Sequence, residues 1–90
     1  MRNIVYRTCS AMFREEVTLE IGQKIRMHRQ AAQLTMEELG NRAGVSRQAI
    51  CKYEFGERTP DLATLSCIAV SLNLKPMELL PDWFLEVQCN

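Results

Sequence analysis

A single residue, Val45, stands between Gly44, a helix terminator, and Ser46, a helix starter. That spacing constrains the fold more than any other feature of the chain. Upstream, Thr35-Met36-Glu37-Glu38 forms a capping box: the Thr35 hydroxyl accepts from the Glu38 amide while the Glu38 side chain reaches back to the Thr35 amide. It opens a short helix with Leu39 and Ala43 facing inward, and Gly44 supplies the left-handed residue that ends it. Ser46 then caps a helix from Arg47 to about Glu54, anchored by Ile50 and Tyr53. No residues remain in so short a turn to fold the second helix back antiparallel, so the two cross at a large angle and the second projects from the body.

The rest of the chain is punctuated in the same way. Ile21, Ile25, His28 and Ala32 follow steps of four, three and four, one stripe of a preceding helix. Pro60-Asp61 opens a fourth helix with Leu62, Leu65, Ile68, Ala69 and Leu72 on one face, and Asn73 closes it. Pro76 fits the first turn of a fifth, with Met77, Leu79 and Leu80 as its apolar contacts and Pro81 as its end. No segment alternates as a half-buried strand does. The expectation is all-α: a compact five-helix bundle over residues 18–80, with an N-terminal extension at 1–17 and an apolar C-terminal tail at 81–90. Phe13, Val17 and Ile21 continue the steps of four backwards and Ser10 could cap them, giving a helix from about residue 11; an irregular leader is the alternative.

Ninety residues leave room for one domain, and a chain this short buries only about 60% of its unfolded surface, so a second copy or a partner would add needed stability. Eleven Lys and Arg balance eleven Asp and Glu, which argues against a nonspecific polybasic coat, and 47% apolar content argues against a disordered tail. The balance conceals an asymmetry. Residues 22–58 carry seven cationic against four anionic side chains, and residues 61–90 carry one against four. A basic middle attracts an anionic polymer locally. No run approaches the ~20 apolar residues of a membrane span, and Met1 to Arg7 lacks the apolar middle of a secretory signal, so a soluble, cytoplasmic chain with no membrane partner is expected. Cys9, Cys51, Cys67 and Cys89 are widely spaced and accompany one histidine, His28; free thiols fit better than a zinc site or a disulfide framework. With one histidine, no phosphate-cradling glycine loop and no carboxylate pair in a catalytic spacing, neither enzymatic activity nor a cofactor or metal is expected.

The projecting helix presents Arg47, Gln48, Cys51 and Lys52 outward. Arg and Gln can make paired hydrogen bonds to guanine O6/N7 and adenine N6/N7 in a major groove, and the helix N-terminus offers free amides to phosphate.

The stretches Ile21-Gly22-Gln23-Lys24-Ile25-Arg26 with Arg29, Leu34 to Leu39, Gly44 to Ile50, Tyr53-Glu54-Phe55-Gly56 and Pro60-Asp61-Leu62 together resemble the phage-repressor/Cro-like helix-turn-helix family, the XRE-type regulators, over about residues 19–80. The resemblance implies a lambda-repressor-like domain that binds double-stranded DNA, commonly as a homodimer on a palindromic operator, to repress or activate transcription. It implies base or phosphate contacts for Arg47, Gln48 and Lys52, phosphate contacts for Thr35, Ser46 and Arg58, and a charge pair between Arg29 and Glu54 that ties the first helix to the end of the recognition helix. Three positions depart from the family pattern. Met36 stands where Gln is usual, Gly40 where Ala is usual, and His28 where Leu is usual.

Two apolar features lie outside that pattern. Leu80, Trp83, Phe84 and Leu85, with Val87, follow the last expected helix, and either fold back on their own core or form a dimer interface, where aromatic residues are enriched. Ala63, Cys67 and Val70 form a second stripe on the fourth helix that requires cover from residues 1–17 or from another subunit. These features keep a second function class open beside DNA binding: an antitoxin-like or adaptor module whose main ligand is a protein partner. Cys51, if near DNA, is either a small tolerated residue or a thiol whose oxidation blocks binding.

Overall fold

The structure, a computed structural model, describes residues 11–83 of the chain. Among them there are helices and turns and no strand. Helix α1 spans Ala11–Ala31, α2 Met36–Ala43, α3 Arg47–Glu54 and α4 Leu62–Ser71; a 3-10 turn follows at Pro76–Leu79, and Asp82 and Trp83 begin another helical turn. The stripe of Val17, Ile21 and Ile25 therefore belongs to one continuous helix that starts at Ala11. Residues 1–10 lie outside the described residues.

Local chemistry sets the boundaries. The Thr35–Glu38 capping box is closed in both directions, with Glu38 N donating to Thr35 Oγ1 at 3.0 Å and Thr35 N donating to Glu38 Oε1 at 2.8 Å. Gly44 ends α2 at φ 78°. Ser46 Oγ accepts from Ala49 N at 3.0 Å to start α3, and Asp61 Oδ1 accepts from Thr64 N at 2.8 Å to start α4. Asn73 takes φ 60° just beyond α4, a conformation its short amide tolerates better than most side chains do. Gln33 adopts the same φ of 60° in the turn between α1 and α2.

Ile21, Ile25, Leu39, Ala43, Ile50, Tyr53, Leu65, Ile68, Ala69 and Leu79 form one core to which all four helices and the 3-10 turn contribute. Ile25, Leu39, Ile50, Ile68 and Leu79 are wholly buried, each stabilising the fold by about 1.5–3 kcal/mol relative to exposure.

Three expectations need correction. The fifth helix is a single 3-10 turn. Pro81 drives Leu80 into extended backbone (φ −87°, ψ 157°), so between Pro76 and Pro81 only bonds of the i→i+3 kind can close, from Glu78 N to Lys75 O and from Leu80 N to Met77 O. Leu62, expected on the core face of α4, is 76% exposed; as the first residue of α4 it overhangs the layer that buries Leu65 one turn later. Ala32 is exposed because α1 ends at Ala31. His28, at a position usually filled by Leu, is half-buried.

The end of the described chain returns to the middle of α1. Lys24 Nζ pairs with Asp82 Oδ1 at 2.7 Å, and one turn earlier on α1 Glu20 Oε2 accepts from Trp83 Nε1 at 3.1 Å. Trp83 thus begins the tail against its own α1, while Phe84, Leu85 and Val87 lie outside the described residues.

Candidate nucleic-acid interface

Helix α3 has two distinct sides. Ile50, Tyr53 and Glu54 are buried, whereas Arg47, Gln48 and Lys52 are exposed and Cys51 is half-exposed. An eight-residue helix that buries one side to the core and carries cationic and amide side chains on the other has the division of labour that groove reading requires. Ser46 sits at its N-cap and Thr35 at that of α2, both exposed. In each case the cap uses a lone pair of the hydroxyl oxygen, so the O–H remains available to donate to a phosphate oxygen. Arg58 is exposed in the loop between α3 and α4, close enough to Asp61 for their charges to interact. That attraction assists the Thr64 hydrogen bonds, which are the main cause holding the Asp61 carboxyl below its ordinary range.

Close backbone approaches hold α3 in place. In the turn before it, Val45 N donates to Gly40 O at 2.9 Å, and Val45 packs against the core. A Cβ on Gly40 would lie 2.6 Å from Val45 O, so the turn is drawn against α2 more tightly than an alanine permits. At the other end, a Cβ on Gly22 would lie 2.2 Å from Tyr53 O and 3.0 Å from Glu54 O. Helix α1 therefore crosses the end of α3 at backbone contact. The positioning role of Gly22 went unread in the sequence, although a glycine within an apolar helical stripe is the signal for such an approach.

Arg29 joins three elements. Its Nε donates to Glu54 Oε2 at 2.6 Å and its Nη2 to Glu54 Oε1 at 3.0 Å, while Nη1 donates to Leu34 O at 2.8 Å. The side chains are 11% and 1% exposed. The Glu54 hydrogen bond, opposed by burial and helped by the attraction of opposite charges, raises the guanidinium above its already high ordinary pKa. No buried side-chain N or O atom among the described residues lacks a hydrogen-bond partner.

On the far flank of the bundle, α4 carries no charged residue. Ala63 and Cys67 are exposed and Val70 is 70% exposed. Beside them Leu62, Leu65, Lys75, Pro76, Met77 and Leu80 line an open apolar groove. Cys51 and Cys67 are both free thiols. No helix among the described residues is long and apolar enough to cross a membrane.

Comparison with known proteins agrees with this geometry. A helix-turn-helix family profile matches residues 25–79. An HTH-type transcriptional activator of Enterococcus faecalis, BcrR, is 36% identical over 62 residues, which are 69% of this chain and 30% of the activator. The chain thus spans under a third of that relative's length. An HTH-type transcriptional regulator of Methanothermobacter thermautotrophicus is 43% identical over 54 residues, 60% of this chain and 78% of the regulator. Among solved structures, the P22 c2 repressor in complex with a synthetic operator superposes with a TM-score of 0.64 at 32% identity, over 67% of this chain and 91% of the repressor.

Proposed function

The chain belongs to the XRE-type helix-turn-helix family of DNA-binding transcriptional regulators, and from that premise we propose that it acts as a homodimer that sets α3 of each copy into successive major grooves of a palindromic operator. The observation that carries the reading is the split surface of α3, with Arg47, Gln48 and Lys52 exposed on a helix whose other side is buried. Arg47 and Gln48 make the paired hydrogen bonds to base edges and Lys52 reaches a base or the adjoining backbone. Thr35, Ser46 and Arg58 hold phosphates, fixing register without reading sequence. The resemblance to the P22 repressor, itself solved on an operator, supports the same placement.

The second copy packs on the charge-free face of α4, over Ala63, Cys67, Val70 and the groove that contains Leu62 and Leu80. A surface helix normally keeps charged residues on its outer side, and an apolar patch of this kind marks a protein contact. Leu80, which lines the groove, is part of that contact, whereas Trp83 bonds to Glu20 of its own α1. The same exposed face supports a second reading, in which a different protein is the main ligand and the DNA surface is secondary.

Sedimentation of the full chain, alone and with a DNA duplex, tests the assembly. The expected result is a dimer that Val70→Glu converts to monomer, with weaker binding to DNA. A monomeric wild type that remains one copy per duplex would remove the homodimer.

A further inference from the structure

We propose that Phe55 extends the base-reading side of α3 and makes apolar contact with a thymine methyl group, so that the chain prefers thymine to uracil at one position of its DNA site. This rests on α3 being the recognition helix and adds a base preference to it. The outward residues identified from the sequence stop at Lys52, but the stripe does not. Phe55 lies four residues after Cys51, three after Lys52 and seven after Gln48, the intervals that place side chains above one another on a helix. The helix holds that register to its end: Phe55 N donates to Cys51 O at 3.0 Å, and Phe55 takes φ −89°, ψ 3°. Gly56, at φ 74°, then turns the chain against Leu19 of α1, where a Cβ would stand 3.0 Å from Leu19 Cδ1. The turn leaves Phe55 57% exposed at the end of the stripe.

Its surroundings indicate what meets it. Lys52 and Arg58 lie three residues to either side and Arg47 lies further up the helix, against the exposed carboxylates of Glu57 and of Asp61, the latter drawn to Arg58. An apolar ring set among cations is poorly matched to another apolar protein face. It suits a polyanion that offers apolar points, and in the major groove that point is the C5 methyl of thymine, which phenylalanine is able to contact. Seven residues of helix separate Gln48 from Phe55 by about 10 Å, or roughly three base pairs at 3.4 Å each. The thymine therefore falls within about three base pairs of the one read by Gln48, on the side of the C-terminal end of α3.

The test uses duplexes enriched from a random pool by the full chain, remade with each thymine replaced singly by deoxyuridine, which removes the methyl and leaves the pairing edge intact. Wild type should bind one uracil duplex about four-fold more weakly, the value of one buried methyl-sized group. Phe55→Ala should bind the thymine and uracil forms equally while keeping its helical circular dichroism and its salt dependence, and Phe55→Leu should retain part of the preference. Discrimination that persists in Phe55→Ala overturns the proposal, as does its absence at every thymine in wild type. A Phe55→Ala variant that instead changes from dimer to monomer assigns the ring to a protein contact and also overturns it. Failure of wild type to enrich any duplex removes the DNA-reading role of α3 itself, an outcome distinct from enrichment without thymine preference.

Discussion

The guanidinium of Arg29 in α1 grips the carboxylate of Glu54, the last residue of α3, through two hydrogen bonds of 2.6 and 3.0 Å. The third Arg29 bond, to Leu34 O, fixes the turn that leads into α2. The pair thereby sets the orientation of both helices of the helix-turn-helix unit relative to α1. Removing one partner strands a buried charge, so Arg29→Met is expected to destabilise by about 3–5 kcal/mol. Arg29→Met combined with Glu54→Leu should recover part of that loss, because both charges are then gone. Urea denaturation of the two variants and wild type measures the coupling. A double variant no more stable than Arg29→Met would argue against it.

Backbone contact at Gly22 makes an unusual demand on a helix interior. Gly→Ala there should gain up to about 1 kcal/mol in helix propensity, yet the added Cβ would stand 2.2 Å from Tyr53 O. The clash is expected to prevail, with a net loss of about 1–3 kcal/mol and weaker DNA binding as α3 shifts. Gly40→Ala should lose stability in the same direction, since Val45 O stands 2.6 Å from its Cβ position. A Gly22→Ala protein with a raised Tm would contradict the close crossing.

Gly22 shows where sequence reading stops, whereas the close approach at Gly40 was legible in the sequence. The caps at Thr35, Ser46 and Asp61 were legible because each is settled by residues three apart, as was the left-handed Gly44. The role of Gly22 depends on which backbone crosses it, and the exposure of Leu62 depends on how far the layer beneath α4 extends. Neither is encoded within one helical turn. Pro81 was read correctly as a stop, but its effect on Leu80, which shortens the last element to a 3-10 turn, follows only when both prolines are considered together. On α3 the outward residues Arg47, Gln48 and Lys52 were readable from helical spacing, while Phe55 was overlooked because a large apolar residue is ordinarily assigned to the core.

Gln33 holds a left-handed conformation at φ 60° in the turn between α1 and α2, where a side chain costs about 1–2 kcal/mol relative to the right-handed form. Gln33→Gly is therefore expected to stabilise by about 0.5–1 kcal/mol, net of the extra freedom glycine brings to the unfolded chain. Thermal unfolding followed by circular dichroism reads it directly; an unchanged or lowered Tm would refute the strain.

Asp61 links stability to pH. Hydrogen bonding to Thr64, with help from Arg58, lowers its pKa in the folded chain, so its ionisation stabilises the fold above the unfolded value of about 4 and that contribution is lost as pH falls through the folded value. Asp61→Asn should be less stable than wild type at neutral pH, with the gap narrowing in acid. A gap independent of pH between 7 and 2 would show that the carboxylate charge is not what the cap uses.

The two kinds of DNA contact should separate by their salt response. Arg47→Ala or Gln48→Ala is expected to weaken binding to the preferred duplex by about 1–3 kcal/mol and to relax base preference locally. Arg58→Ala should weaken all sequences alike and reduce the salt slope by about one. Fluorescence anisotropy on preferred and random duplexes over a salt series distinguishes them, and equal losses on both duplexes for every variant would undo the assignments.

Selection of duplexes from a random pool by the full chain tests the DNA-reading role of α3 most directly. A palindromic consensus is expected, with half-sites about 10–10.5 base pairs apart, and its preferred bases should change when the selection is repeated with Gln48→Ala. A pool that gains no consensus, or a consensus indifferent to both Arg47→Ala and Gln48→Ala, would contradict it.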